Sequence, residues 1–166
     1  MPRQVRNAIS LHTNTLVAFR QNGSVFPYGR MYGKDINQVV MSRLDYIFHS
    51  RNTYPSTLLT AEMNRSISLI DAKPFLRNCS CGKPADCFIS PGYLQSLIFK
   101  CSTCQPVGAG TTNPQWRVGR SLNDLEHMFS GTYAQIRKQI QKATKYIVVA
   151  KDYDGNITFL KANKFV

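Results

Sequence analysis

The feature that most constrains this chain is a cluster of cysteines in its middle. The five cysteines of the 166-residue sequence fall within one stretch of 26 residues, at Cys79, Cys81, Cys87, Cys101 and Cys104. A secreted disulfide scaffold carries an even number of cysteines along its length, behind a signal peptide. Here the number is odd, and the first residues lack the apolar run of a secretory signal. We therefore expect reduced, metal-binding thiols in an intracellular compartment, the cytoplasm, nucleoid or nucleus.

The spacing of the cysteines is typical of a zinc site. Nineteen residues separate the close pair at 79–81 from the close pair at 101–104. Zinc binds four thiolates in a tetrahedron, and two close pairs about 15–20 residues apart are a usual sequence form of such a site. Gly82, directly after the first pair, permits a tight backbone turn. We predict a structural Zn²⁺ bound by Cys79, Cys81, Cys101 and Cys104.

The fifth cysteine leaves alternatives open. Cys87 can replace one of the four predicted ligands, or it can be a buried thiol, because free cysteine behaves as a small apolar residue. A third interpretation is a set of reduced thiols with no metal. If four thiolates bind the ion, no coordination position stays open, so the site stabilises the fold and does not activate water.

The net charge indicates a polyanionic partner. The chain has 21 Lys and Arg against 9 Asp and Glu, a formal charge of +12. In a folded domain this excess is the electrostatic signature of nucleic-acid binding, although it also suits solubility or an acidic protein partner. Hydrophobic residues make up 43% of the sequence, which excludes a disordered tail, and no apolar run is long enough to span a membrane.

Turn signals and β-rich segments predict hairpins at both ends of the chain. Asn22-Gly23 and Asp154-Gly155 are dipeptides that tolerate the positive φ of a tight turn, and each lies between two apolar runs. The predicted strands are residues 15–20, 24–28, 66–70, 96–100, 146–150 and 157–160.

Apolar residues also recur at helical spacing after suitable capping residues. Asp35 predicts the start of a helix that runs to about Ser50, and Ser121 caps a second helix that Gly131 ends. Thr132 starts a third, with Tyr133 among the residues predicted to face inward. The expected fold is therefore α+β, with antiparallel hairpins and two or three helices. We expect a single domain over residues 1–166, with the zinc ribbon inserted at 76–118.

Aromatic and basic residues alternate in two segments, as a single-stranded nucleic acid requires. Bases stack on aromatic rings, and phosphates bind Lys and Arg. One helix face, predicted after Thr132, adds further cations. The candidate residues that we select from these segments are Tyr28, Arg30, Tyr32, Lys34, Trp116, Arg117, Arg120, Arg137, Lys138, Lys142 and Lys145.

The cysteine segment resembles a known module. Cys79-Ser80-Cys81-Gly82, followed by Phe99-Lys100-Cys101 and later by Trp116, resembles a GRF-type zinc ribbon. This family binds single-stranded nucleic acid and is appended to repair and topology enzymes. The resemblance covers residues 79–116, although Ser96-Leu97 stands where the family has its Gly-Arg. It implies the same four zinc ligands, with Lys83, Lys100 and Trp116 near a bound strand.

The sequence gives little support to an enzyme. It lacks the His-x-Glu of zinc deaminases, a phosphate-binding glycine loop and a nucleophile elbow. We expect a non-enzymatic protein that binds single-stranded RNA or DNA with low sequence specificity. Two alternatives stay open. One is an interaction module or inhibitor that docks on an acidic protein, as a viral or phage protein docks on a host enzyme. The other is a metal-dependent nuclease.

Overall fold

The computed structural model describes residues 25–53, 55, 57–90, 96–105 and 116–151. The chain divides into two compact units, residues 1–68 and 69–166. The helices are α1 (Ile36–Ser42), α2 (Leu44–Thr53), α3 (Leu58–Asp71) and α4 (Tyr133–Ala150), and the strands are β1 (Cys87–Ser90), β2 (Ile98–Lys100) and β3 (Arg117–Gly119). Short 3-10 helices cover Gly29–Met31 and Leu122–His127. Helices with a small antiparallel sheet confirm the α+β fold class. The expectation of one domain with an insert at 76–118 stays a prediction.

The first helix begins where the sequence predicts, but it is shorter. The Asp35 carboxylate accepts a hydrogen bond from the backbone N–H of Gln38 at 3.1 Å and caps α1. Arg43, with φ −138°, then interrupts the helix. Its guanidinium binds both carboxylate oxygens of Asp45 in the first turn of α2, at 3.1 and 3.0 Å. The predicted helix to Ser50 is therefore two helices.

The strand predicted at residues 66–70 is wrong, because this segment belongs to α3. Leu59, Met63, Ile67 and Ile70 are buried and recur at intervals of three and four residues. That spacing aligns them on one face of a helix, and its burial outweighs the β-propensity of a short apolar run.

The sheet of the second unit has the order β2-β1-β3, and both pairs are antiparallel. Strand β2 confirms residues 98–100 of the strand predicted over 96–100. Phe88 lies opposite Phe99 on one side and Gly119 on the other. A Cβ at Gly119 would lie 2.5 Å from the Phe88 ring and 2.8 Å from Met128. Only glycine therefore lets β3 pack this closely on the Phe88 face.

Both predicted capping residues after the sheet are confirmed. Ser121 and Thr132 each form a capping box, with Asp124 and Gln135 as the reciprocal partners. The predicted strand at 146–150 is wrong, because α4 continues through it. Buried residues continue the helical period to the end of α4, at Ile140, Ala143, Thr144, Ile147, Val148 and Ala150. Burial of this face overrides the local preference of a β-branched run.

Several other predicted elements lie wholly or partly outside the described residues. The strands at 15–20 and 157–160 and both turn dipeptides lie outside the described residues. Of the strand at 24–28, Val25 and Phe26 form isolated bridges to Asp35 and Tyr32.

Across the described part of the chain, no helix combines the length and the apolar content needed to cross a membrane.

Asp71, the last residue of α3, connects three helices of the structure by hydrogen bonds. Its carboxylate accepts hydrogen bonds from the Ser121 hydroxyl and from the backbone N–H of Leu122, the latter at 3.0 Å. The buried Lys151 ammonium donates to the carbonyl oxygens of Asp71 and Lys73 at 2.8 and 2.9 Å. Burial lowers the pKa of Lys151, and the charge of Asp71 opposes this shift. These bonds connect the C-terminal ends of α3 and α4 to each other, and they connect the end of α3 to the start of the second 3-10 helix.

Replacing Asp71 with Ala should destabilise the second unit by about 1–3 kcal/mol, because a partly buried hydroxyl and N–H lose their acceptor. Trp116 is the one tryptophan of the chain. Its fluorescence therefore follows the urea unfolding of this unit. Lys138→Ala, at an exposed position of α4, is the control and should change stability by less than about 0.5 kcal/mol. Equal unfolding midpoints for the two variants would contradict this role of Asp71.

Candidate metal centre and adjoining sheet face

Four cysteine sulfur atoms converge in the second unit. The Sγ atoms of Cys79, Cys81, Cys101 and Cys104 all lie within 4.8 Å of one another, and Cys81 Sγ is 3.5 Å from Cys101 Sγ. Zn–S bonds of about 2.3 Å in a tetrahedron place sulfur atoms roughly 3.8 Å apart. The sulfur positions therefore fit a metal ion with four thiolate ligands.

Two tight turns bring these sulfur atoms together. In the first, Gly82 N–H donates to the carbonyl of Cys79 at 2.9 Å, and Cys79 N–H donates to the carbonyl of Lys83 at 2.8 Å. Gly82 has a φ of +86°, so the turn needs glycine at this position. In the second, which directly follows β2, Cys104 N–H donates to the carbonyl of Cys101 at 3.1 Å. Each turn thus presents two sulfur atoms on the same side.

Backbone N–H groups favour thiolates at the two buried sulfur atoms. The N–H of Cys81 hydrogen bonds to the Cys79 sulfur and is the main cause that lowers its pKa to about 6. The N–H of Cys104 lowers the pKa of Cys101 in the same way. Side-chain hydrogen bonds of Cys104 with Cys81, Cys101 and Cys79 raise its pKa to about 12. Because a thiolate is the metal-binding form, these N–H groups favour binding of a cation.

Cys87 belongs to the sheet and not to this group of sulfur atoms. It lies on β1 opposite Lys100, is fully buried, and its thiol donates to the Lys100 carbonyl at 3.2 Å. Burial raises its pKa to about 11, so it stays a thiol. The group of four that the described residues form consists of the four cysteines chosen from the sequence. Cys87 matches the alternative of a buried thiol.

Two serines between the cysteines brace the site, and sequence reasoning missed this role. The Lys100 ammonium donates to the Ser80 hydroxyl at 2.8 Å, and the Ser102 hydroxyl donates to the Asp86 carboxylate at 2.6 Å. The bond from Ser102 also lowers the pKa of Asp86. Each turn is therefore tied to a residue at the base of the sheet. The signal available in the sequence was a serine directly inside each cysteine pair.

One face of the sheet gathers several of the predicted binding residues. Side chains alternate along a strand and cross-strand partners share a face, so Lys100 shares its face with Val118. Trp116 and Arg120 lie directly before and after β3, and the same alternation carried one residue beyond each end of the strand would put them on this face, on which Cys87 and Ile89 of β1 are buried. Trp116 is 36% exposed and Lys100 is partly exposed. We call this surface, formed by Lys100, Trp116 and Arg120, the sheet face; Arg117 is directed to the opposite side.

The other predicted binding residues of the second unit that carry a positive charge do not belong to the sheet face. Lys83 is exposed in the first cysteine turn. On α4, Lys138, Lys142 and Lys145 are exposed along one side, whereas Arg137 is half-buried. The Lys142 ammonium lies 6.0 Å from the centre of the Tyr146 ring, and Tyr133, predicted to face inward, is 69% exposed.

The four candidates in the first unit divide into one structural and three exposed residues. Tyr28 is half-buried, its hydroxyl is 2.7 Å from that of Ser50, and its ring packs edge-on against Phe26. It therefore packs within the unit. Arg30, Tyr32 and Lys34 are exposed.

No protein-family model, curated protein or solved structure matches this chain. The resemblance of residues 79–116 to GRF-type zinc ribbons stays a prediction from the sequence, since unrelated zinc sites share the four-cysteine arrangement. Function is therefore assigned from the geometry and charge of the described residues.

The protein should contain one metal ion per chain when it is purified without chelator and measured by elemental analysis. Cys101→Ser should lose the metal and much of the second unit's fold, because metal binding and folding are coupled. Cys87→Ala is the matched control and should keep the full metal content. A folded Cys101→Ser protein with unchanged Trp116 fluorescence would contradict a structural metal, and loss of metal in Cys87→Ala would contradict the ligand set.

Proposed function

We propose that this protein binds single-stranded nucleic acid, RNA or DNA, with low sequence specificity. The observation that carries the proposal is an exposed aromatic ring, Trp116, and an exposed cation, Arg120, at the two ends of β3, with Lys100 on the same sheet. Single strands bind to surfaces that combine stacking rings with a positive charge that follows the phosphates. The sheet face offers both within one small antiparallel sheet.

The chain's few acidic residues support this proposal. Several described carboxylates are used inside the fold: Asp35 caps α1, Asp71 binds the 3-10 helix start and Asp124 closes a capping box. Nine acidic residues can offset at most nine of the 21 basic ones. A large positive excess is therefore available to phosphates.

The metal proposed for the site is Zn²⁺, with a structural role. Four thiolates suit zinc, and a four-coordinate site supports folding without catalysis. When bound, the ion would fix the two cysteine turns; Lys83 lies in the first turn, and Lys100 directly precedes the second. Net charge then falls only to about +10, so the protein stays basic. The resemblance to GRF-type ribbons, which bind single strands, is in keeping with this arrangement.

Fluorescence anisotropy with labelled single-stranded RNA, single-stranded DNA and duplex DNA tests the proposal. Trp116→Ala should weaken single-strand binding by about 5- to 150-fold, the effect of about 1–3 kcal/mol for one stacked base. Tyr133→Ala removes another exposed aromatic ring and should leave affinity unchanged. Dissociation constants no tighter than ~100 μM for all three ligands at physiological salt would reject the proposal. The basic surface would then indicate an acidic protein partner.

The salt dependence of binding tests the cations of the sheet face separately. Replacing Lys100 and Arg120 together with Gln should reduce the log–log salt slope by about 1.4, since each lost phosphate contact on a single strand removes about 0.7. The double variant Lys138→Gln, Lys145→Gln removes the same charge from the exposed side of α4. We expect a smaller change there. An equal change in both would show that net charge, and not the sheet face, determines affinity.

A further inference from the structure

The first unit displays a tyrosine on a closed loop of its own. We call residues 26–34 the Tyr32 loop. The Tyr32 side chain is 74% exposed, the largest exposure among the described large hydrophobic residues, and Arg30 and Lys34 are exposed two residues to either side. An exposed ring between two cations is the combination that a base and its flanking phosphates require.

Backbone hydrogen bonds fix the shape of this loop. Phe26 N–H donates to the Lys34 carbonyl and Gly33 N–H donates to the Phe26 carbonyl, both at 2.8 Å. Gly29 and Gly33 have φ values of +68° and +73°. A Cβ at Gly29 would lie only 2.5 Å from the hydroxyl of Tyr46. The loop therefore depends on glycine both for its backbone conformation and for close packing.

Buried residues inside the loop hold Tyr32 outward. Phe26 is fully buried and Met31 is 5% exposed, so both anchor the loop in the first unit. The hydrogen bond between the Tyr28 and Ser50 hydroxyls fixes a third position. A loop whose backbone is already ordered loses little backbone entropy on binding, so this display favours a ligand.

We infer that the Tyr32 loop is a second stacking site for the same single strand, separate from the sheet face. This inference rests on the proposed function. One exposed ring and two cations offer far less area than the roughly 800 Å² per partner that a stable protein interface buries. A nucleobase with its two phosphates fits a contact of this size.

Two sites on one strand predict binding that depends on strand length. A strand long enough to reach both sites gains affinity, because the second contact forms within the complex at a high effective concentration. A short strand occupies one site only. The length at which affinity rises then measures the path along the strand between the two sites.

The test measures dissociation constants at fixed salt for oligothymidylates of about 6 and about 30 nucleotides, which lie near the low end of typical single-site sizes and well above them. The quantity compared is the ratio of long-strand to short-strand affinity. Tyr32→Ala should lower this ratio at least about tenfold and weaken short-strand binding far less, because the sheet face still binds a short strand. Tyr32→Phe keeps the ring and should keep the ratio, and Tyr133→Ala should also keep it. A long strand offers more binding registers than a short one, which raises its apparent affinity. Every variant is measured on the same two strands, so this gain is the same for each and cancels when their ratios are compared.

The outcomes separate this inference from the proposed function. Equal ratios for Tyr32→Ala and the unchanged protein would overturn the second site. Equal weakening on short and long strands would also overturn it, because Tyr32 would then belong to one undivided site. If the unchanged protein binds neither of these strands nor oligouridylates of the same lengths, the proposed function fails and the second site fails with it. Circular dichroism of Tyr32→Ala verifies the fold, which an exposed side chain should not affect.

Discussion

Four thiols held within 4.8 Å of one another are the constraint on which the second unit depends. Its strands have only three or four residues each, so the sheet forms few ladder hydrogen bonds. The cysteine turns lie where β2 ends and β1 begins, and the serine braces connect them to both strands. A metal bound there would close the open end of this sheet and fix Lys100 at its edge. Stability and the proposed binding surface thus have a common origin.

Charge is the second constraint, because the chain has few acidic residues. Acidic side chains are used for caps and internal bonds, as at Asp71, and few are left to offset the cations. The two units display aromatic rings beside cations by different means. In the second unit, Trp116 and Arg120 are exposed at the two ends of β3. In the first, backbone hydrogen bonds and two positive-φ glycines hold Tyr32 outward.

Sequence reasoning succeeded where the determinant is local. Asp35, Ser121 and Thr132 were identified as caps because a cap needs only a short polar side chain and the next three residues. It failed at residues 66–70 and 146–150, where an apolar run suits a strand or a helix equally until its burial partners are known. It missed the break at Arg43, which depends on an ion pair with Asp45, and the role of Tyr28, whose partner Ser50 is distant in sequence.

The sequence by itself determined the α+β class, the excess of positive charge and the four cysteines that converge, since composition and ligand spacing are encoded along the chain. Only the tertiary structure decided that Lys100 and Val118 share one face of the sheet, that Cys87 pairs within it, and that Tyr32 is exposed while Tyr28 is packed. These outcomes depend on strand register and on contacts between residues far apart in sequence. A linear pattern does not specify such contacts, because many arrangements of the same elements satisfy it equally well.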